Sequence, residues 1–239
     1  MMKMNELVIC IICARGGSKG LHRKNLRMLD GEPLIARPIR HAQQSGVVDE
    51  IIVSTDDLEI AEVAKSFGAK VPFIRPYSLS GDLATTESTI QHALLEFEAI
   101  SSRSFDIGVH LTATDVFRNI SWITDAVNLL KLDMTLESVF SGHRTQKNFW
   151  EQRENGSWER LAPWMSVYSS RQIRRSIIRE DTGLACASRA SLWREGRRIG
   201  DHVQVLVNDD PFTGIDIHTE EDLALAEAAL SIRKNRNDC

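Results

Sequence analysis

Residues 14–25 read Ala-Arg-Gly-Gly-Ser-Lys-Gly-Leu-His-Arg-Lys-Asn and hold the densest chemistry in the chain. Glycines at 16, 17 and 20 let successive backbone N–H groups approach an anion with no Cβ in the way. Arg15, Lys19, His22, Arg23 and Lys24 crowd the same loop with basic or potentially basic side chains, although the whole chain carries a formal charge of −4. Such a local excess of cation suits a polyphosphate held by charge-assisted hydrogen bonds, with backbone donors from Gly16, Gly17 and Ser18. The spacing is neither that of a P-loop, which needs Gly-Lys-Ser/Thr, nor GxGxxG, so a dinucleotide site is disfavoured. A solvated basic turn is the plain alternative.

Four further places hold residues able to do chemistry. Arg75 is a suitable donor for the O2 and N3 atoms of a pyrimidine, or else one half of a surface ion pair. Ser80-Gly81-Asp82 sits beside a ligand or forms a turn. Asp56 and Asp57 stand where a strand gives way to a helix, and Asp56 with Glu59 reads as a capping box with Asp56 as N-cap. Asp216 and His218, two apart on a short predicted strand, face the same side, as two ligands or a ligand and its helper must.

The order of these segments resembles a known family. Arg15 to Gly20 followed by Arg23-Lys24-Asn25 resembles the N-terminal signature of the acylneuraminate cytidylyltransferases, the CMP-sialic acid synthetases, with CMP-Kdo synthetases as more distant relatives. The likeness continues through residues 53–57, Arg75-Pro76 with residues 80–86, and residues 215–223. It implies transfer of CMP from CTP to the anomeric hydroxyl of a 3-deoxy-ulosonic acid, with release of pyrophosphate. It places the triphosphate on Arg15, Lys19 and Lys24, Asn25 near the nucleotide, and cytosine and ribose against Arg75 and the segment holding Ser80 and Asp82. Arg15, Lys24 and Asp216 become the residues expected to carry catalysis.

Departures from the family pattern fall around the acceptor and the metal. The family presents two aspartates for Mg²⁺, whereas this chain has Asp216 and His218; imidazole suits Mg²⁺ poorly, so His218 contacts through water, favours Mn²⁺, or serves as a base. Asp115 lies near where the distant relatives place a metal-binding aspartate and is the third candidate ligand, or a plain turn residue. Residues 112–118 lack the family's sugar-holding glutamine, leaving Thr112, with Lys147 and Arg171 downstream, as the candidate sugar contacts. Two alternatives therefore stay open: a cytidylyltransferase for Kdo or another acidic acceptor such as a phosphonate, and a nucleotide-binding relative without catalysis.

Apolar runs alternate with amphipathic stretches, the βαβα pattern of an α/β domain. Strands are predicted at Leu7–Cys13, Glu50–Ser54, Val71–Phe73, Asp106–Leu111, Leu136–Ser141, Gly183–Ala187 and Val203–Val207. Helices are predicted at Pro33–Gln44, Leu58–Phe67, Thr86–Phe97, Ile120–Leu132 and Glu220–Leu230, the last entered by a Thr219 and Asp222 cap. The expectation is a Rossmann-like three-layer, mostly parallel sheet of the nucleotidyltransferase, GT-A-like kind, formed by residues 1–144 and 183–239. Residues 145–182, with Trp150, Trp158 and Trp164 and an Arg-rich run, break the rhythm and read as an inserted sugar-site and dimerisation lobe. A hairpin with an Asn155-Gly156 turn is expected within it, serving a homodimer contact or packing as a lid.

Composition narrows the partners. An acidic chain without a broad basic face is not expected to bind nucleic acid or a membrane surface. The apolar run Leu7–Ala14 is too short to span a bilayer and no export signal precedes it, so a cytoplasmic location is expected. Cys10-Ile-Ile-Cys13 has metal-site spacing but falls within a strand, where residues three apart face opposite ways, so packing is expected. Scattered Cys10, Cys13, Cys186 and Cys239 predict free thiols.

Overall fold

A computed structural model describes residues 6–168, 170 and 172–237. The expected alternation is present. Strand β1 (Val8–Cys13) leads through the phosphate-loop candidate to a small hairpin of β2 (Met28–Leu29) and β3 (Glu32–Pro33) and then to helix α1 (Ala36–Ser45). There follow β4 (Glu50–Ser54), α2 (Leu58–Ser66), α3 (Thr86–Ser101), β5 (Ile107–Leu111), α4 (Ile120–Leu132) and β6 (Ser138–Thr145). The hairpin β7 (Trp150–Gln152) and β8 (Trp158–Arg160) comes next. The chain continues with β9 (Ile177–Glu180), β10 (Cys186–Arg189), α5 (Ala190–Arg194), β11 (Val203–Asn208) and α6 (Glu220–Asn237).

The main sheet runs β11-β6-β10-β5-β1-β4, with β9 also paired to β6. Strand β1 lies parallel to both β4 and β5, and β11 parallel to β6, while β10 is antiparallel to β5 and β6. Because β11 pairs with β6 at residues 138–143, β9 and β10 share the other side of β6 in succession.

Alternation along β1 divides the interior in two. Val8, Cys10 and Ile12 pack with residues of α1, α2, α4 and α6, and Ile9 and Ile11 pack with those of α3 and α5. Both faces of the central strand are thus covered, as a three-layer α/β/α arrangement requires. Cys10 and Cys13 fall on opposite faces, and burial pushes the Cys10 thiol up to about 12. Cys10, Cys13 and Cys186 are free thiols; Cys239 lies outside the described residues.

Some expected elements differ. Residues 71–73 form no strand, only an isolated bridge between Ile52 and Lys70 next to them. The strand predicted at 183–187 starts at Cys186, because residues 181–184 form a turn in which Leu184 N–H donates to the Asp181 carbonyl. Residues 215–218 carry no strand assignment and run as a loop into α6. The N-cap of α2 is Asp57, whose carboxylate accepts from the N–H groups of Glu59 and Ile60, which frees Asp56 for another contact. At α6, Thr219 and Asp222 cap each other reciprocally as expected. Within residues 145–182, the hairpin turns at Gly156 with φ of 82°, but Ile177–Glu180 joins the main sheet.

Candidate active site

Strands β1 and β5 are parallel and end side by side, so the loops after Cys13 and Leu111 emerge at the same carboxyl edge, where α/β sheets bind ligands. A cleft of about 420 Å³ opens there. It brings together Arg15, Ser18, Lys19, Lys24, Asn25, Arg75, Asp82, Thr112 and His218 of the predicted residues. Gly16, Gly17, Ser80, Asp115, Asp216 and Lys147 do not line it. Lys147 is exposed on the lobe, its N–H donating to Thr145 Oγ1, and Arg171 lies outside the described residues.

The loop is held by its own contacts. Asn25 is buried and its amide donates to the Arg15 carbonyl at 2.9 Å, fixing the start of the loop to its end. Arg23, with φ of 53°, turns the chain into the short 3-10 turn Lys24–Leu26 and pairs with Glu59 of α2. The expected backbone donors are partly engaged: Gly16 N–H donates to Asp56 Oδ1 at 2.9 Å and Ser18 N–H to the Gly16 carbonyl. Gly16 has a steric reason to be glycine, since a Cβ there would meet Asp57 Oδ2 at 2.7 Å.

Asp82 projects its carboxylate between two cations of the loop, 3.2 Å from Arg15 Nη1 and 2.5 Å from Lys19 Nζ. The hydrogen bond from Lys19 and the nearby Arg15 hold its pKa below the usual carboxylate value. Arg75 is not a surface ion-pair partner: it is buried, with Nε donating to Ser80 Oγ and Nη2 3.7 Å from Asp56 Oδ1.

Opposite the loop stands the segment before α6. Lys24 Nζ lies 3.5 Å from His218 Nδ1, and His218 Nε2 lies 2.8 Å from Asp216 Oδ2. A charged lysine can only donate, so Nδ1 accepts and the Nε2 proton goes to Asp216. Burial lowers the Lys24 pKa, with Arg15 acting in the same direction and Asp216 and Asp115 opposing. Gly20 packs against this segment so closely that a Cβ would sit 2.5 Å from the His218 carbonyl oxygen.

Behind these residues lies a group of carboxylates. Asp115 accepts from Thr112 Oγ1 at 2.5 Å, and burial, helped by the charges of Asp216 and Asp181, pushes its pKa up to about 6. Asp216 Oδ1 is buried with no hydrogen-bond partner. An orphaned carboxylate oxygen beside a second carboxylate offers hard oxygen donors, which fits a Mg²⁺ ion completed by phosphate oxygens and water. Among the described residues no group of three or more His, Cys, Asp and Glu side chains surrounds one point, so the protein's share of such a site is small.

Sequence reasoning missed Asp56 as a loop contact, because its acidic neighbour concealed which of the two caps α2. It also missed Arg179, which grips Asp181 through Nε and Nη2 at 2.7 and 2.9 Å. A strand pairing invisible to sequence periodicity sets Arg179 opposite His143.

The chain is 51% identical over 86 residues to a pseudaminic acid cytidylyltransferase of Campylobacter jejuni, covering 36% of this chain and 37% of that protein. It is 40% identical over 134 residues to the CMP-N,N'-diacetyllegionaminic acid synthase of Legionella pneumophila, covering 56% of each. The matches thus span between about a third and just over half of those relatives' lengths. Among solved structures, a CMP-2-keto-3-deoxy-manno-octonic acid synthetase complexed with CTP shares the fold with a TM-score of 0.67 at 16% identity, over 95% of this chain and 99% of that one. Residues 9–147, more than half of the chain, match the family described as cytidylyltransferase, and the chain belongs to that family.

Proposed function

We propose that this protein transfers CMP from CTP to the anomeric hydroxyl of a 3-deoxy-ulosonic acid of the sialic acid-like kind and releases pyrophosphate. The observation that carries the reading is the meeting of the basic loop and the Asp216–His218 segment in one cleft, Lys24 against His218 across 194 residues of sequence. The relatives' names, pseudaminic and legionaminic acid enzymes, supply the acceptor class.

The reaction is an in-line attack of the sugar hydroxyl on the α-phosphorus, with the pyrophosphate oxygen leaving and no covalent enzyme intermediate. The protein's work is positioning and charge neutralisation. Arg15, Lys19 and Lys24 hold the phosphates and balance the charge that develops on the leaving pyrophosphate. Asn25 keeps the loop closed, and Arg75 with Ser80 addresses the pyrimidine. Asp216 and Asp115 would hold a Mg²⁺ ion, which would polarise the α-phosphate and place the sugar oxygen. His218, with one ring nitrogen on Asp216 and the other toward Lys24, orients that carboxylate. Thr112, in the wall of the cleft, is the candidate acceptor contact.

The lobe exposes Trp150, Trp158 and Tyr168, the last 68% exposed, a surface suited to a homodimer contact. No helix among the described residues is long and apolar enough to cross a membrane.

The test is pyrophosphate release from CTP with pseudaminic, legionaminic, sialic and Kdo-type acids. Release with one of the first three supports the proposal, and Asp216→Asn should abolish it. Preference for the Kdo-type acid would move the acceptor class, and no release with any acid would leave a nucleotide-binding protein.

A further inference from the structure

One carboxylate that touches two segments of the cleft wall has been given no role. Asp56 follows β4 and does not cap α2, since Asp57 does. Its Oδ1 instead receives the Gly16 N–H at 2.9 Å and stands 3.7 Å from Arg75 Nη2. Gly16 belongs to the basic loop, and Arg75 is the buried donor on the pyrimidine side, so a single oxygen ties together the two halves of the nucleotide site.

The surrounding contacts leave Asp56 little freedom. Arg75 N–H donates to the Thr55 carbonyl at 2.8 Å and Ala14 N–H to the Ser54 carbonyl at 3.0 Å, so both segments that Asp56 joins are stitched to the end of β4. Asp57 N–H donates to Thr55 Oγ1, which fixes the turn between β4 and α2 from which Asp56 projects. The Arg75 side chain is only 4% exposed, and a buried guanidinium needs a nearby charge to remain there.

We propose that Asp56 is a positioning residue for the nucleotide, setting the height of the basic loop above the Arg75 guanidinium so that phosphates and pyrimidine are gripped together. The proposal rests on the nucleotide reading above, and it has a sign that plain electrostatics does not share. Asp56 is an anion close to the phosphate loop. By Coulomb's law alone its removal strengthens binding of a polyanion, whereas removal of a positioning contact lets the loop drift and weakens it.

Calorimetry with inorganic tripolyphosphate, which reads only the loop, and with CTP, which reads loop and pyrimidine together, separates the cases. Both are titrated at fixed magnesium into wild type, Asp56→Ala and Asp56→Asn. Asp56→Ala should bind tripolyphosphate about tenfold more weakly, as expected for losing a hydrogen bond to a charged group. Asp56→Asn keeps an acceptor for the Gly16 N–H and should retain tripolyphosphate binding, while its weaker hold on Arg75 lowers the ratio of CTP to tripolyphosphate affinity. If Asp56→Ala does not fold, the asparagine variant alone decides, since an unchanged ratio overturns the proposal. Unchanged or tighter tripolyphosphate binding by folded Asp56→Ala overturns it as well. Failure of the wild type to bind CTP would instead remove the nucleotide reading itself, a distinguishable result.

Discussion

At the scale of single residues, the cleft holds the cations proposed to grip phosphate and an anion, Asp82, that already pairs with two of them. Arg15 and Asp82 should therefore respond with opposite signs. Arg15→Ala removes a contact that strengthens as pyrophosphate departs, and should cost about 2.7–4 kcal/mol of transition-state stabilisation, by analogy with the loss of an oxyanion donor. Asp82→Asn frees Arg15 and Lys19 from an exposed, solvent-screened ion pair, and should lower the KM for CTP roughly threefold. Steady-state kinetics on the two variants checks both. Near-wild-type turnover of Arg15→Ala would remove that residue from the phosphate site, and a raised KM in Asp82→Asn would mean that Asp82 contacts the nucleotide itself.

At the scale of elements, the loop after β1 and the segment before α6 meet through backbone as well as side chains. Gly20→Ala places a methyl group against the His218 carbonyl, a contact of 2.5 Å that must open. The two walls should then part, lowering kcat by up to about a hundredfold, the scale on which a misplacement of about 1 Å acts. Its melting temperature should fall as well, because the clash is with backbone and not with the end of a flexible side chain; thermal melts beside initial-rate assays measure both. The sequence made these elements legible where their pattern was local. Helix α4 and strand β4 have the bounds that periodicity predicts, and the Thr219–Asp222 cap follows from two residue types three apart. What was illegible depends on partners distant in sequence. The antiparallel direction of β10 leaves no mark on its apolar pattern, and the choice between Asp56 and Asp57 as cap is settled only by where Gly16 lies. Of the candidate site, the loop and Arg75 were readable from composition and order. The Asp56 contact and the buried state of Asp115 needed the tertiary fold.

For the whole molecule, burial of titratable groups sets how stability varies with pH. Burial, with Arg198 and Arg118 nearby, depresses the His110 pKa to about 4, and burial with Arg118 depresses that of His41 to about 3. For both, the unfolded chain binds protons that the folded chain refuses, so stability present above pH ~6.5 is lost as pH falls toward the folded values. His110 alone accounts for roughly 3 kcal/mol across that range at about 1.36 kcal/mol per pKa unit. Asp115, raised to about 6, works the other way: the folded state gains from its protonation as pH falls from about 6 toward 4. Two histidines outweigh one carboxyl, so the melting temperature should be lower at pH 4.5 than at 7.5. His110→Gln should flatten the difference and Asp115→Asn should steepen it, raising stability near neutrality even if activity is lost. A melting temperature equal at the two pH values would show that Asp115 cancels both histidines, and a higher one at pH 4.5 that it dominates.

The long reach of the cleft also bears on the protein's birth. Lys24 and His218 are separated by 194 residues, and Arg27 grips Glu220 at the start of α6. At elongation rates of about 5–20 residues per second, roughly 10–40 s pass between synthesis of the basic loop and of its opposite wall. During that interval β1 is already made, yet the loop following it has only half a binding site. On the reading proposed above, the nascent chain then has its basic loop and Arg75 but lacks the Asp216–His218 wall, so transfer to an acceptor can begin only after α6 has docked.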